Sequence, residues 1–93
     1  RDKIAELSTL FIENLNENIQ VIPSQSSIHA IIIGSEIKTL EICQKLKDKS
    51  IWLTAIRPPT VANNSSRLRV TICASHNANN IKYLAKCLNE VCV

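Results

Sequence analysis

Ninety-three residues, 45% hydrophobic and 20% charged, are enough for one modest core in an ordinary soluble globular domain. The net charge of +3 comes from seven lysines and four arginines dispersed among eight acids, with no basic run to follow a phosphate backbone, so nothing recommends a nucleic-acid partner. Neither a secretory leader nor an apolar run near ~20 residues is present. Cys43, Cys73, Cys87 and Cys92 form no C-x-x-C pair and no zinc-like grouping. The expectation is therefore a cytoplasmic protein with free thiols, no metal site and no membrane partner.

In chain order, Ile4, Leu7, Phe11 and Leu15 recur at helical spacing and predict an amphipathic helix from about Asp2 to Asn16. The chain opens with Arg1-Asp2 rather than Met, which fits a fragment of a longer protein. Ser24 to Ser27 read as a turn. Ile28 to Ile33 is short, β-branched and bounded by Gly34-Ser35, the pattern of a buried strand. Ser35 is a good N-cap for a helix to about Lys47, with Leu40, Cys43 and Leu46 inward and Glu41 and Lys45 as a surface i,i+4 pair. Asp48-Lys49-Ser50 then turn the chain into a strand over Ile51 to Ile56.

Arg57 ends that strand and is followed at once by Pro58-Pro59. Proline fixes its own φ and confines the preceding residue to extended conformations, so the guanidinium leaves a stiff piece of backbone. A rigid lone Arg suits a planar anion such as a carboxylate, which it can hold by two parallel hydrogen bonds. Arg57 to Ser66 is a long polar loop, a frequent place for function. Arg67 to Cys73 alternates, with Leu68, Val70 and Ile72 on one side and Arg67, Arg69, Thr71 and Cys73 on the other. A last helix begins near Asn77 and carries Ile81, Leu84, Ala85, Leu88 and Val91 on one face. The order α-β-α-β-β-α predicts an α+β domain, a small, mainly antiparallel sheet with helices on one side.

The string Ile51-Trp52-Leu53-Thr54-Ala55-Ile56-Arg57-Pro58-Pro59-Thr60-Val61, then Ser66-Arg67-Leu68-Arg69-Val70-Thr71-Ile72 and Ala74-Ser75-His76, closely resembles the C-terminal part of the 8-amino-7-oxononanoate synthases. These are pyridoxal-phosphate enzymes of the α-oxoamine synthase family, within the fold-type I group. The likeness runs through nearly the whole chain, and Ala55-Ile56-Arg57-Pro58-Pro59-Thr60-Val61 is its specific part. One departure stands out. Ala62-Asn63-Asn64-Ser65 replaces the family's Pro, variable residue, Gly, and Thr or Ser, and Asn64 is the residue able to take a Gly-like positive φ there.

The resemblance implies that residues 1–93 are one C-terminal small domain of a longer enzyme, with about 1–22 as a linking helix from a large domain. It implies that the whole enzyme condenses L-alanine with pimeloyl-CoA or a pimeloyl-carrier protein, losing CO2, in biotin biosynthesis, and works as a homodimer. The position matching Arg57 then grips the α-carboxylate of the amino acid, fixing its orientation. Thr60 is a weaker candidate for substrate contact. The cofactor belongs to the large domain, so no catalytic, cofactor-binding or metal residue is expected in this segment. Arg67 and Arg69 read as salt-bridge partners of a neighbouring domain or subunit, His76 as a helix-end histidine, His29 as a satisfied structural one. Trp52 and Tyr83 read as core or interface residues.

Other readings stay open on the residues. They are another α-oxoamine synthase of the 2-amino-3-ketobutyrate ligase type, or a free-standing regulatory domain binding a small carboxylate through Arg57. An RNA-binding module of similar strand order is disfavoured, because neither of the two clearest strands carries an aromatic on which a base could stack.

Overall fold

Helix α1 (Asp2–Asn14) buries Leu7 and Phe11 on its inner side, as their spacing predicts. The structure, a computed structural model, describes residues 2–22 and 28–92, so the turn expected at Ser24 to Ser27 lies outside the described residues. The helix stops two residues short of Asn16 because the last helix takes over its end. Asn89 Nδ2 donates to the Asn14 carbonyl at 2.9 Å and its Oδ1 accepts from the Asn16 amide at 2.8 Å. That side chain satisfies groups a helix terminus leaves unpaired.

Strand β1 (Gln20–Ile22) is an addition to the predicted order. Three residues carry too little periodicity to announce themselves, and pairing with β2 (Ile28–Gly34) makes the strand. Helix α2 (Glu36–Asp48) starts as expected, with the Ser35 hydroxyl accepting from the Lys38 amide at 3.1 Å. Its buried stripe is Thr39, Ile42, Cys43 and Leu46, not Leu40, which is 41% exposed. Thr39 can be fully buried because its hydroxyl donates to the Ser35 carbonyl at 2.6 Å. Strand β3 covers only Thr54–Ile56. Residues 51–53 are held by α2 instead, through the Ile51 amide on the Leu46 carbonyl and the Cys43 thiol on the Leu53 carbonyl.

Strand β4 (Ser66–Thr71) begins one residue earlier than predicted and stops before Cys73. The Cys73 amide donates to His76 Nδ1 and the His76 amide to the Cys73 carbonyl, each at 3.0 Å, which turns the chain into α3 (Ala78–Val91). Asn77 and Asn80 close a reciprocal cap at the start of α3. Asn64 takes φ +62° in the loop before β4, the Gly-like conformation its type allows.

The sheet is fully antiparallel, in the order β1-β2-β4-β3. Its inner rows, including the pairs His29–Val70 and Ile31–Leu68, meet all three helices in one core. The opposite face has no helix over it among the described residues. There Gln20, Ile32, Arg67 and Ile56 form one row, and Ile22, Ala30, Arg69 and Thr54 the next. Ile28 and Ile22 on this face are 42% and 49% exposed. The Ile28 to Ile33 run is thus a half-buried strand.

His29 sits in the core, 2% exposed, with Nε2 at 3.0 Å from Ser8 Oγ and its ring 6.0 Å from that of Phe11. Nδ1 is buried without a partner. An unmet lone pair costs less there than an unmet N–H, so the proton belongs on Nε2, donating to Ser8. Charging the ring would add a buried N–H with nowhere to donate, and burial accordingly lowers its pKa from the usual 6.5. The unfolded chain takes up the proton first as pH falls. His29 therefore favours the fold above about pH 6.5, and that support is lost progressively below it, down through the depressed folded value. The expected result is an unfolding midpoint that drops between pH 7 and 5, with the drop flattened by His29→Leu. A variant keeping the full slope would mean that other groups set it.

Candidate functional site

Strands β2 and β3 run in the same direction on either side of β4, so both end at the same edge of the sheet. The pairs Gly34–Ser66 and Ile56–Arg67 fix this level. Helix α2 starts one residue after Ser35, and Arg57 follows directly on Ile56, so the first turn of α2 meets the end of β3. Arg57 Nη1 donates to Glu36 Oε2 at 3.1 Å, with the two side chains 44% and 47% exposed. Gly34, at φ +99°, takes a conformation that disfavours any Cβ and brings the backbone close to the loop, where an added Cβ would lie 3.4 Å from the Asn64 carbonyl.

Beyond Arg57 the chain turns sharply. The Thr60 amide donates to the Arg57 carbonyl at 3.0 Å across Pro58 and Pro59, which are joined by a cis peptide bond. Thr60 is exposed and fixed through its backbone. Arg67 Nε donates to the Ser65 carbonyl at 3.0 Å, and Arg69 has no ion-pair partner among the described residues. Both point from the uncovered face. One corner of the sheet thus collects Arg57, Glu36, Arg67 and the 62–65 turn. Glu36 is the member that the sequence reading missed; it lies 21 residues from Arg57, and only the shared strand direction brings the two together.

The remaining predicted residues lie elsewhere. His76 caps the approach to α3. Trp52 and Tyr83 are surface residues, 74% and 48% exposed, rather than core. They flank a cleft of about 340 Å³ at the other end of β3, together with Leu53, Val70, His76 and Asn80. Tyr83 donates to the Lys49 carbonyl at 3.0 Å, and the Lys47 ammonium stands 5.7 Å from the Trp52 ring. All four cysteines are free thiols. Among the described residues there is no metal-ligand cluster, and no helix is long and apolar enough to cross a membrane.

Residues 1–88 match the aminotransferase class I and II family. The chain belongs to that family. Curated relatives of this chain carry the name 8-amino-7-oxononanoate synthase. The protein of Photobacterium profundum is 45% identical and that of Vibrio vulnificus 42%, each over 98% of this chain. The protein of Aliivibrio salmonicida is also 42% identical over the same share. The chain spans about a quarter of the length of these relatives, 23% and 24% of the first two. Among solved structures, serine palmitoyltransferase from Sphingomonas wittichii matches with a TM-score of 0.89 over 98% of this chain and 24% of that one, at 19% identity. A serine palmitoyltransferase from S. paucimobilis with a bound PLP-myriocin aldimine matches at a TM-score of 0.87, also at 19% identity, over the same shares. The α+β fold of this chain is therefore that of a segment of these enzymes.

The family implies pyridoxal phosphate, and the described surface does not fit it. A cofactor lysine needs an acid for the pyridine nitrogen, a stacking ring and a phosphate cradle around it. Lys3, Lys38, Lys45, Lys47, Lys82 and Lys86 are exposed on helices, and Lys49 is paired with Glu90 at 3.4 Å. None of them lines the cleft that holds Trp52 and Tyr83.

Proposed function

We propose that these residues are the C-terminal small domain of a pyridoxal-phosphate-dependent 8-amino-7-oxononanoate synthase. The full-length enzyme condenses L-alanine with pimeloyl-CoA or a pimeloyl-carrier protein, with loss of CO2, for biotin biosynthesis in the cytoplasm. The single observation that carries this reading is the 42–45% identity, across nearly the entire chain, to relatives of that name. Pyridoxal phosphate is held outside these residues, in a large domain entered through the leading stretch of about 1–22, and two full-length chains assemble as a homodimer.

In this reading Arg57 binds the α-carboxylate of the amino acid. Its place at the end of a strand, held by the following turn, supports that role, because a fork grips a carboxylate well only when its base is fixed. Thr60 borders the same turn and is the second candidate contact. The uncovered face of the sheet, with half-exposed Ile22 and Ile28 on the same side as Arg67 and Arg69, is the surface that the rest of the enzyme covers. Left bare, such a face favours self-association.

The deciding experiment supplies the purified full-length protein and pyridoxal phosphate with L-alanine and a pimeloyl thioester. CO2 release matched one-to-one by free thiol and 8-amino-7-oxononanoate is expected, with glycine and serine turned over at under about a tenth of that rate, since a missing methyl or an added hydroxyl is discriminated by about 10–200-fold. Preference for glycine with a short acyl thioester would overturn the assignment in favour of a 2-amino-3-ketobutyrate ligase type.

A further inference from the structure

A guanidinium offers its donors along two usable edges. Nε–H and one N–H of Nη2 run parallel along one side, and Nη1 with Nη2 form the end. The contact with Glu36 engages Nη1 alone, through one carboxylate oxygen, and the Arg57 side chain makes no other hydrogen bond among the described residues. The Nε/Nη2 edge thus has no partner among the described residues while the opposite corner of the group is held. Glu36 opens α2 directly after the N-cap Ser35, so its backbone is fixed and its carboxylate lies at the favourable end of the helix.

We infer that Glu36 is a positioning residue for Arg57, holding the guanidinium by Nη1 so that its Nε/Nη2 edge is presented to the substrate carboxylate. The inference rests on the reading of Arg57 given above. A residue that merely occupied the substrate's place would be expected to engage both donors of one edge, and Glu36 engages Nη1 alone. Its contribution is orientation, which a neutral acceptor at the same position also provides. Its charge works the other way, since a second carboxylate beside the site repels an incoming one.

The test uses steady-state kinetics of the full-length protein with L-alanine varied and the pimeloyl thioester saturating. Glu36→Ala is expected to raise the KM for alanine about fivefold to tenfold with kcat changed less than about twofold, because it loosens binding without touching the reacting atoms. Glu36→Gln keeps an acceptor for Nη1 and is expected to restore the KM to within about twofold of the parent. In an Arg57→Lys background, Glu36→Ala should add less than about twofold, as expected when one residue acts through the other. An unchanged or lowered KM in Glu36→Ala overturns the inference, as does a Glu36→Gln variant as impaired as Glu36→Ala. Either result beside a strongly impaired Arg57→Lys enzyme leaves the assignment of Arg57 standing. An unimpaired Arg57→Lys enzyme removes that assignment, and the role of Glu36 with it.

Discussion

Replacing Arg57 by lysine in the full-length protein is expected to lower kcat/KM for L-alanine by roughly 10²-fold while leaving the KM for the pimeloyl thioester within about threefold. The charge survives this change, so a site needing only a cation would hardly notice it. The planar fork does not survive, and lysine presents one rotatable point charge at the end of a flexible stem. A carboxylate held at a single point can swing, and small misplacements at a reacting centre cost about two orders of magnitude in rate. The ion pair with Glu36 does not obscure the result. Both side chains are nearly half exposed, and contacts of that kind contribute about 0–1 kcal/mol. Arg57→Ala should be worse than Arg57→Lys on the alanine terms, and high alanine should restore part of its rate. Unchanged kinetics in Arg57→Lys would return this residue to the role the structure alone displays, a surface arginine paired with a glutamate.

Much of the scaffold was legible in the chain because its signals are local. Ser35 and Asn77 cap the helices they precede, and the alternation of Leu68, Val70 and Ile72 puts all three in the core. Asn64 adopts the positive φ that its type permits. The misses share a different physics. Apolar spacing alone points Leu40 inward, whereas a threonine with its hydroxyl satisfied by the preceding turn fits the buried stripe better. Ile51 and Leu53 looked like strand, yet the end of α2 captures their backbone. Strand β1 exists only through its partner. The encounter of Glu36 with Arg57 belongs to the same class, since it depends on β2 and β3 ending together, and strand direction is a property of the assembled sheet.

The second large effect concerns the core. Phe11 is 0% exposed, yet it belongs to a helix with no sheet hydrogen bonds to hold it. Helix α1 is secured by its side chains against the sheet and α3, with Asn89 tying down its last turn. Phe11→Ala is expected to destabilise the 93-residue chain by about 3–5 kcal/mol, the usual loss for a fully buried aromatic truncated to a methyl group. A domain of this size has roughly 5–15 kcal/mol in total, so the change removes about a fifth of its stability or more. Thr9→Ala, an exposed change on the same helix, should stay within about 0.5 kcal/mol. Chemical unfolding followed by circular dichroism measures both, and a loss below about 1.5 kcal/mol for Phe11→Ala would mean that α1 is not docked through this ring. The same variant carries a further consequence for pH. The low basicity of His29 comes from its burial, and the Phe11 ring forms one wall of that burial. Opening the wall lets water reach the imidazole, so the acid-dependent fall in stability between pH 7 and 5 should shrink in Phe11→Ala even as the overall stability drops.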